Sequence, residues 1–105
     1  MSKAWQDITP QEVEKMLQDK REAQFIDVRN SDEYSAGHME GATLIPLPVL
    51  PVRLHELAPE KEVIFICRSG ARSAQACEFA VSQGFKKVAN MAGGMLNWQG
   101  NQIKE

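Results

Sequence analysis

The sequence predicts an α/β fold of three layers, with a mainly parallel sheet of about five strands between helices on both faces. Short apolar runs alternate along the chain with segments of helical spacing, which is the pattern of such a sheet. The apolar run at residues 62–66 is uninterrupted and typical of a strand buried on both faces. A length of 105 residues fits one domain spanning residues 1–105.

The first helix is predicted to begin after Thr9. Thr9 can cap it, Pro10 suits the first helical position, and Glu12 completes a capping box. Apolar residues at helical spacing continue the pattern at Val13, Met16 and Leu17. Residues 23–28 then predict a short buried strand.

The segment at residues 31–37 predicts one or two helical turns. Ser31 or Asp32 would cap this helix, and Gly37 would end it. Residues 42–46 form a third apolar run and predict another strand.

Three prolines in the segment 46–51 prevent one continuous helix there. A helix beginning at Pro48 or Pro51 would carry Val52, Leu54 and Leu57. The strand at 62–66 follows it.

The last third of the chain predicts a helix over residues 74–83 with Gly84 as its stop. Residues 87–90 predict a short strand. A turn at Gly93 and Gly94 would then precede a final short helix.

The composition favours a small cytoplasmic protein, which we expect to be a monomer. Hydrophobic residues make up 43% of the chain, and the net charge of −2 argues against nucleic-acid binding. The N-terminal segment lacks an apolar signal region, and no apolar run has the length of a membrane helix. The cysteines and histidines do not have the paired spacing of a structural metal site, so we expect no metal.

The segment CRSGARS, residues 67–73 and hereafter the Cys67 loop, joins the predicted strand 62–66 to the helix that follows it. In a parallel sheet this is the carboxyl end of a strand, where ligands bind. Nearby cations and a helix N-terminus lower the pKa of a thiol, and free amides there bind anions. We therefore expect Cys67 to be a nucleophile, with the anion held by Arg68, Ser69, Gly70, Ala71, Arg72 and Ser73.

The alternative is that Cys67 is a buried structural thiol, which is common for free cysteines. Two arginines, two serines and a glycine in the next six positions favour the reactive thiol. Cys77 lies at helical spacing from Ala74, Ala80 and Val81, and we expect it to pack in the core.

Four segments occur in the order found in one known family: IDVR at 26–29, YSAGHMEGA at 34–42, CRSGARS at 67–73 and GGMLNW at 93–98. Together they resemble the rhodanese-type sulfurtransferases over nearly the whole chain, from about Ile8 to Trp98. Glu40 departs from the family pattern, which more often has proline there.

The resemblance implies sulfur transfer through a persulfide on Cys67. The donor would be thiosulfate or a similar sulfur-containing anion, and the acceptor cyanide, a thiol or a partner protein. In this scheme Arg68 and Arg72 hold the dianionic donor. No metal or organic cofactor is required.

Asp27 and Arg29, in the IDVR segment, have two possible roles. Arg29 could add positive charge at the site, or Asp27 could brace the Cys67 loop by accepting bonds from its amides or from an arginine. For His38 we favour a structural hydrogen bond over acid–base catalysis, because sulfur transfer moves few protons. His55 is expected to be solvated, and Met95 and Trp98 to close the core.

Three other functions remain open at this level. Cysteine-dependent phosphatases and arsenate reductases use a similar loop with a Cys-x5-Arg signature, whereas the spacing from Cys67 to Arg72 is Cys-x4-Arg. Silent binding modules of the family typically lack the cysteine, which this chain keeps. A persulfide carrier with a protein donor would share the chemistry.

Overall fold

The computed structural model describes residues 4–105. Its strands are β1 (Gln6–Ile8), β2 (Ala23–Asp27), β3 (His38–Met39), β4 (Thr43–Leu44), β5 (Glu62–Ile66), β6 (Val88–Met91) and β7 (Gln102–Ile103). Its α-helices are α1 (Pro10–Gln18), α2 (Ser31–Ala36), α3 (Leu50–Arg53) and α4 (Ala71–Ser82). Short 3-10 turns cover Leu47–Val49, Leu54–Glu56 and Gly94–Asn97.

Five strands form one parallel sheet in the order β1-β6-β5-β2-β4. The most central strand is β5, which pairs with β2 on one side and β6 on the other. A separate antiparallel pair joins β3 to β7. The mainly parallel five-strand sheet predicted from the sequence is therefore confirmed.

Alternate residues of β5 serve the two faces of the sheet. Val63 and Phe65 pack with residues of α3 and α4 in one core, which also contains Cys77. Ile64 and Ile66 pack on the opposite face with residues of α1 and with Trp98. Helices thus cover both faces, as predicted.

The first helix has the predicted start. Thr9 Oγ1 accepts from the Glu12 amide at 3.0 Å, and Glu12 Oε1 accepts from the Thr9 amide at 3.0 Å, with Pro10 in the first turn. The structure confirms α2 and its end at Gly37, but the predicted N-cap was wrong. The N-cap is Asn30, whose amide donates to Glu33 Oε1 at 3.0 Å, and not Ser31 or Asp32.

The helix after the Cys67 loop begins earlier than predicted. The structure starts α4 at Ala71 and not at Ala74, because Gly70 adopts the left-handed conformation of an N-cap and its carbonyl accepts from the Ala74 amide at 3.1 Å. Arg72 and Ser73 therefore lie in the first turn of the helix.

The sequence did not predict β1, β3 or β7. Each is two or three residues long, and β1 contains only one apolar residue, Ile8. Their positions depend on partners far away in the sequence.

Among residues 4–105, no helix is long and apolar enough to cross a membrane.

Candidate active site

The carboxyl ends of three neighbouring strands meet at one edge of the sheet. Asp27 is the last residue of β2, Cys67 follows β5 directly, and Asn90 lies in β6. The pairing of Phe65 with Ile26 and with Asn90 sets these positions. The Cys67 loop therefore begins where the topology of a parallel sheet places ligand sites.

The sulfur of Cys67 lies among hydrogen-bond donors of its own loop. The Gly70 amide donates to Sγ at 3.0 Å and the Ser73 amide at 3.3 Å. The Ser73 hydroxyl lies 3.2 Å from the same sulfur. Amide hydrogens of a loop and a helix N-terminus thus point at one atom, an arrangement that favours negative charge on it.

Two opposing effects act on the Cys67 thiol, which is 1% exposed. Burial raises its pKa, because the charged form loses solvation. Hydrogen bonds that the thiolate can accept from the Ser73 hydroxyl and from the amides of Ser73, Gly70 and Ser69 lower it. The hydrogen bonds prevail, so the pKa of Cys67 lies below that of an ordinary thiol. A larger fraction is consequently thiolate, the nucleophilic form.

The residues that follow the Gly93–Gly94 turn hydrogen-bond to the backbone of the Cys67 loop. The Met95 amide donates to the Cys67 carbonyl at 2.9 Å, and the Leu96 amide donates to the Arg68 carbonyl at 3.0 Å. Gly94 has φ +59°, and a side chain there would lie 2.5 Å from the Cys67 carbonyl oxygen. Glycine is thus required for the close contact between the two segments.

The two arginines of the loop have different surroundings. Arg72 donates through Nη1 and Nη2 to the two carboxylate oxygens of Glu33, each at 2.8 Å. Arg68 is exposed, and its side chain makes no hydrogen bond or ion pair with any of residues 4–105. It lines an open cleft of about 310 Å³ together with Glu33, Met95 and Leu96.

Asp27 and Arg29 form a buried pair beside the loop. Arg29 Nη2 donates to Asp27 Oδ2 at 2.8 Å and to the Gly37 carbonyl at 2.9 Å. The Arg29 amide and Nε also donate to Asp27 Oδ1, each at 3.0 Å. Asp27 is 0% exposed and Arg29 6% exposed. The carboxylate therefore accepts from an arginine, and the pair fixes the end of β2 to the end of α2.

The remaining residues singled out in the sequence lie in the core or at the surface. His38 is buried, stacks on Tyr34 with ring centroids 3.6 Å apart, and has Nδ1 2.8 Å from the Tyr34 carbonyl. Cys77 is buried in the core, and His55 is exposed. Trp98 packs in the second core with Met95 against it.

Two residues of the site escaped the sequence analysis. Glu33 pairs with Arg72 from 39 residues away, and only its place in the α2 cap gives a local signal. Asn90 accepts from the Ser73 hydroxyl and donates to the Gly70 carbonyl. In the sequence, only its polar side chain near the end of a buried strand indicates a role for Asn90.

Among residues 4–105, no three Cys, His, Asp or Glu side chains are grouped to hold a metal.

Comparison with known proteins shows which family the chain belongs to. The family model described as Rhodanese-like domain matches residues 9–101. A protein called sulfurtransferase from Allochromatium vinosum is 33% identical over 92 residues, which cover 88% of this chain and 86% of that protein.

A putative sulfur carrier protein, YrkF of Bacillus subtilis, is 42% identical over 76 residues, covering 72% of this chain and 41% of that protein. The crystal structure of a rhodanese-like domain protein from Staphylococcus aureus superimposes with a TM-score of 0.86 at 30% identity. The match covers 95% of this chain and 99% of that one. The chain therefore belongs to the rhodanese family of sulfurtransferase-related domains.

Proposed function

We propose that this protein is a thiosulfate sulfurtransferase that carries sulfane sulfur as a persulfide on Cys67. The observation on which this rests is the position of Sγ, within 3.3 Å of the amide nitrogens of Gly70 and Ser73. Those donors stabilise a thiolate, and they would equally stabilise the anionic outer sulfur of a persulfide. The sulfurtransferase relative supports the same reaction class.

In the first half-reaction, the electron pair of the Cys67 thiolate attacks the outer sulfur of thiosulfate. The bond from that sulfur to Cys67 forms as its bond to the sulfonate sulfur breaks, and sulfite leaves with the pair. In the second, cyanide or a thiol attacks the terminal sulfur and leaves as thiocyanate or a new persulfide. The S–S bond to Cys67 breaks, and its electron pair restores the thiolate. Two separate half-reactions imply ping-pong kinetics.

The other groups of the Cys67 loop have different roles in this reaction. Arg68 is unpaired within residues 4–105 and lies at the rim of the loop, and we assign it to the sulfonate end of the donor. The amides of Ser69, Gly70 and Ser73 serve the sulfur, while Ala71 and Arg72 open α4. A reactive free thiol needs a reducing compartment, which suits the cytoplasm.

A sulfur relay with a protein donor is a second candidate, favoured by the similarity to the sulfur carrier protein. It uses the same persulfide and differs in what delivers the sulfur. The open cleft beside Arg68, with Leu96 60% exposed on its wall, leaves room for a macromolecular donor or acceptor. A phosphatase is less well supported, because the Cys67 loop is one residue shorter than the Cys-x5-Arg signature.

The test is the intact mass of the protein after incubation with thiosulfate. We expect the wild type to gain one sulfur atom and cyanide to remove it. Cys67→Ala should gain nothing, and the matched control Cys77→Ala should behave like the wild type, since Cys77 is buried in the core. An adduct retained in Cys67→Ala contradicts the proposal.

Thiosulfate and a small aryl phosphate should be assayed on the same preparation. Sulfur transfer without phosphate hydrolysis is the expected result. Hydrolysis without sulfur transfer would favour the phosphatase. If thiosulfate adds no sulfur but a protein-bound persulfide does, the relay is the function.

A further inference from the structure

The Ser73 hydroxyl lies between two atoms that both accept hydrogen bonds. Its oxygen is 2.5 Å from Asn90 Oδ1 and 3.2 Å from Cys67 Sγ. A serine hydroxyl carries a single proton, so it donates to one of them at a time. Ser73 is 0% exposed and Asn90 6% exposed, so bulk water does not replace either contact.

The other end of the Asn90 amide decides which atom receives the proton. Nδ2 lies 3.3 Å from the Gly70 carbonyl oxygen and 3.3 Å from Asp7 Oδ1. Both are acceptors, so the NH₂ group has to face them, and Oδ1 has to face Ser73. The Ser73 proton therefore points at Asn90, and its lone pairs face the sulfur.

This orientation suits a thiol and not a thiolate. A neutral Cys67 can donate its S–H to Ser73 Oγ, which gives the continuous chain S–H···O–H···O=C. A thiolate has no proton to give, and at 3.2 Å it would face the lone pairs of an oxygen. The Ser73 hydroxyl can stabilise the thiolate only by turning its proton to the sulfur, which leaves the buried Asn90 carbonyl without that donor.

We propose that Asn90 is a positioning residue that acts through Ser73: it holds the Ser73 hydroxyl proton while Cys67 is a thiol and releases it to the sulfur when Cys67 is a thiolate. Ser73 keeps its own proton and changes only the acceptor, while the proton that the thiol loses goes to solvent. The proposal deepens the proposed function, because the thiolate is the form that attacks the donor.

Asn90 thus opposes ionisation of Cys67, and the loop amides favour it. The other charged groups around the loop are the pair Arg72 and Glu33, the pair Asp27 and Arg29, the exposed Arg68, and Asp7 beside Asn90. The variants below keep the charge of every one of these groups, although Asn90→Leu removes the hydrogen bond to Asp7.

The test measures alkylation of Cys67 by iodoacetamide, a neutral reagent, as a function of pH. Four proteins are compared, all in a Cys77→Ala background: no further change, Asn90→Leu, Ser73→Ala, and the double variant. Leucine has the same number of side-chain heavy atoms and the same branching at Cγ as asparagine, but it accepts no hydrogen bond. The Ser73 hydroxyl is then free for the sulfur, so the thiol pKa should fall, and the rate at a fixed pH below it should rise roughly two- to tenfold.

In the Ser73→Ala background, Asn90→Leu should not lower the thiol pKa, because the lowering acts through the Ser73 hydroxyl. Loss of the bond from Nδ2 to Gly70 would loosen the loop and raise the pKa, so a lowered pKa cannot come from loosening. A profile of Asn90→Leu that is unchanged or shifted upward overturns the proposal. A lowering of the thiol pKa that is equal with and without the Ser73 hydroxyl also overturns the proposal.

A second measurement needs no variant at Asn90 and applies if Asn90→Leu does not fold. The side-chain ¹³Cγ resonance of Asn90 is followed by NMR through the titration of Cys67 in the wild type. Its shift should change at the pH where the thiol ionises, since Oδ1 loses its donor there. A resonance that stays constant through that pH overturns the proposal. Neither measurement uses a sulfur donor, so both stand apart from the mass test of the sulfurtransferase function.

Discussion

Arg72 and Glu33 join the first turns of α4 and α2 through two parallel hydrogen bonds of 2.8 Å each. The sequence assigned Arg72 to the sulfur donor, but in the structure its guanidinium is already paired with Glu33. Arg68 then remains as the unpaired cation of the Cys67 loop within residues 4–105. This division of roles between two arginines four residues apart leads to two predictions.

Arg68→Ala should raise KM for thiosulfate roughly ten- to a hundredfold, since a charge-assisted hydrogen bond is worth about 1.5–3 kcal/mol. The midpoint of urea unfolding should stay unchanged, because the Arg68 side chain is exposed. Arg21→Ala is the matched control. It pairs with Glu62 at the opposite end of β5 and should leave KM unchanged. Equal KM values for wild type and Arg68→Ala would mean that the backbone alone holds the donor.

Glu33→Gln should destabilise the protein by about 1 kcal/mol at pH 7, a value kept small because the pair is partly exposed and screened. The hydrogen bonds from Arg72 lower the pKa of Glu33 from 4.5 to about 2. A carboxylate with a lowered folded-state pKa stabilises fully above its unfolded pKa and loses this contribution as pH falls through the folded value. The difference in free energy of unfolding between the wild type and Glu33→Gln should thus have its full value above pH 4.5 and vanish near pH 2.

Urea titrations of wild type and Glu33→Gln across this range test the prediction. Glu56→Gln is the control, since its partner Arg53 lies on the same short helical segment and the pair is more exposed. It should change the unfolding free energy less than Glu33→Gln does. A difference for Glu33→Gln that is independent of pH would show that the pair does not contribute through its charge.

Gly94→Ala should lower both the melting temperature and sulfur transfer. Its φ of +59° strains any side chain by roughly 1–2 kcal/mol, and a Cβ would collide with the carbonyl groups of Cys67 and Arg68. The contact can be relieved only by moving the Cys67 loop. Gly84→Ala is a matched control, because Gly84 has φ +95° but nothing lies within 4 Å of its Cβ position. It should lose stability to strain alone and keep full kcat. Equal activities of the two variants would contradict a supporting role for the Gly93–Gly94 turn.

Asp27→Ala should cost about 3–5 kcal/mol of unfolding free energy, because it leaves the buried Arg29 guanidinium without its counter-ion. The double variant Asp27→Leu with Arg29→Met removes both charges and should be more stable than Asp27→Ala alone. Chemical denaturation of all three proteins measures this. A double variant that is no more stable than Asp27→Ala would show that the unpaired charge of Arg29 is not the source of the cost.

The sequence predicted the parts of the site that lie close together along the chain. The strand 62–66, the cysteine after it and the helix beyond are consecutive, so local propensity and spacing suffice. The start of α4 was misplaced because Gly70 and its left-handed conformation were read as loop and not as the N-cap.

The contacts that tune the loop depend on the arrangement of distant segments. Asn90 reaches Ser73 because β6 pairs with β5 in a register that sets Asn90 opposite Phe65. Glu33 reaches Arg72 because α2 and α4 start from the same edge of the sheet. The alternating pattern predicts a shared carboxyl edge, but the register and the order of neighbouring strands cannot be derived from it. Hydrophobic spacing fixes which face of a strand is buried but not which residue lies opposite.

The pairing of β1 with β6 has a consequence for the order in which the protein folds. Gln6 pairs with Ala89, and the Asp7 that Asn90 contacts lies 83 residues before it. Closing so long a loop lowers the conformational entropy of the chain before the contacts of β1 can stabilise it. We therefore expect β1 to dock late. The central strands can assemble around β5 first. During refolding, the compact state should then form before the Asn90 amide is held in place, and Cys67 should acquire its native reactivity only when this edge strand closes the sheet.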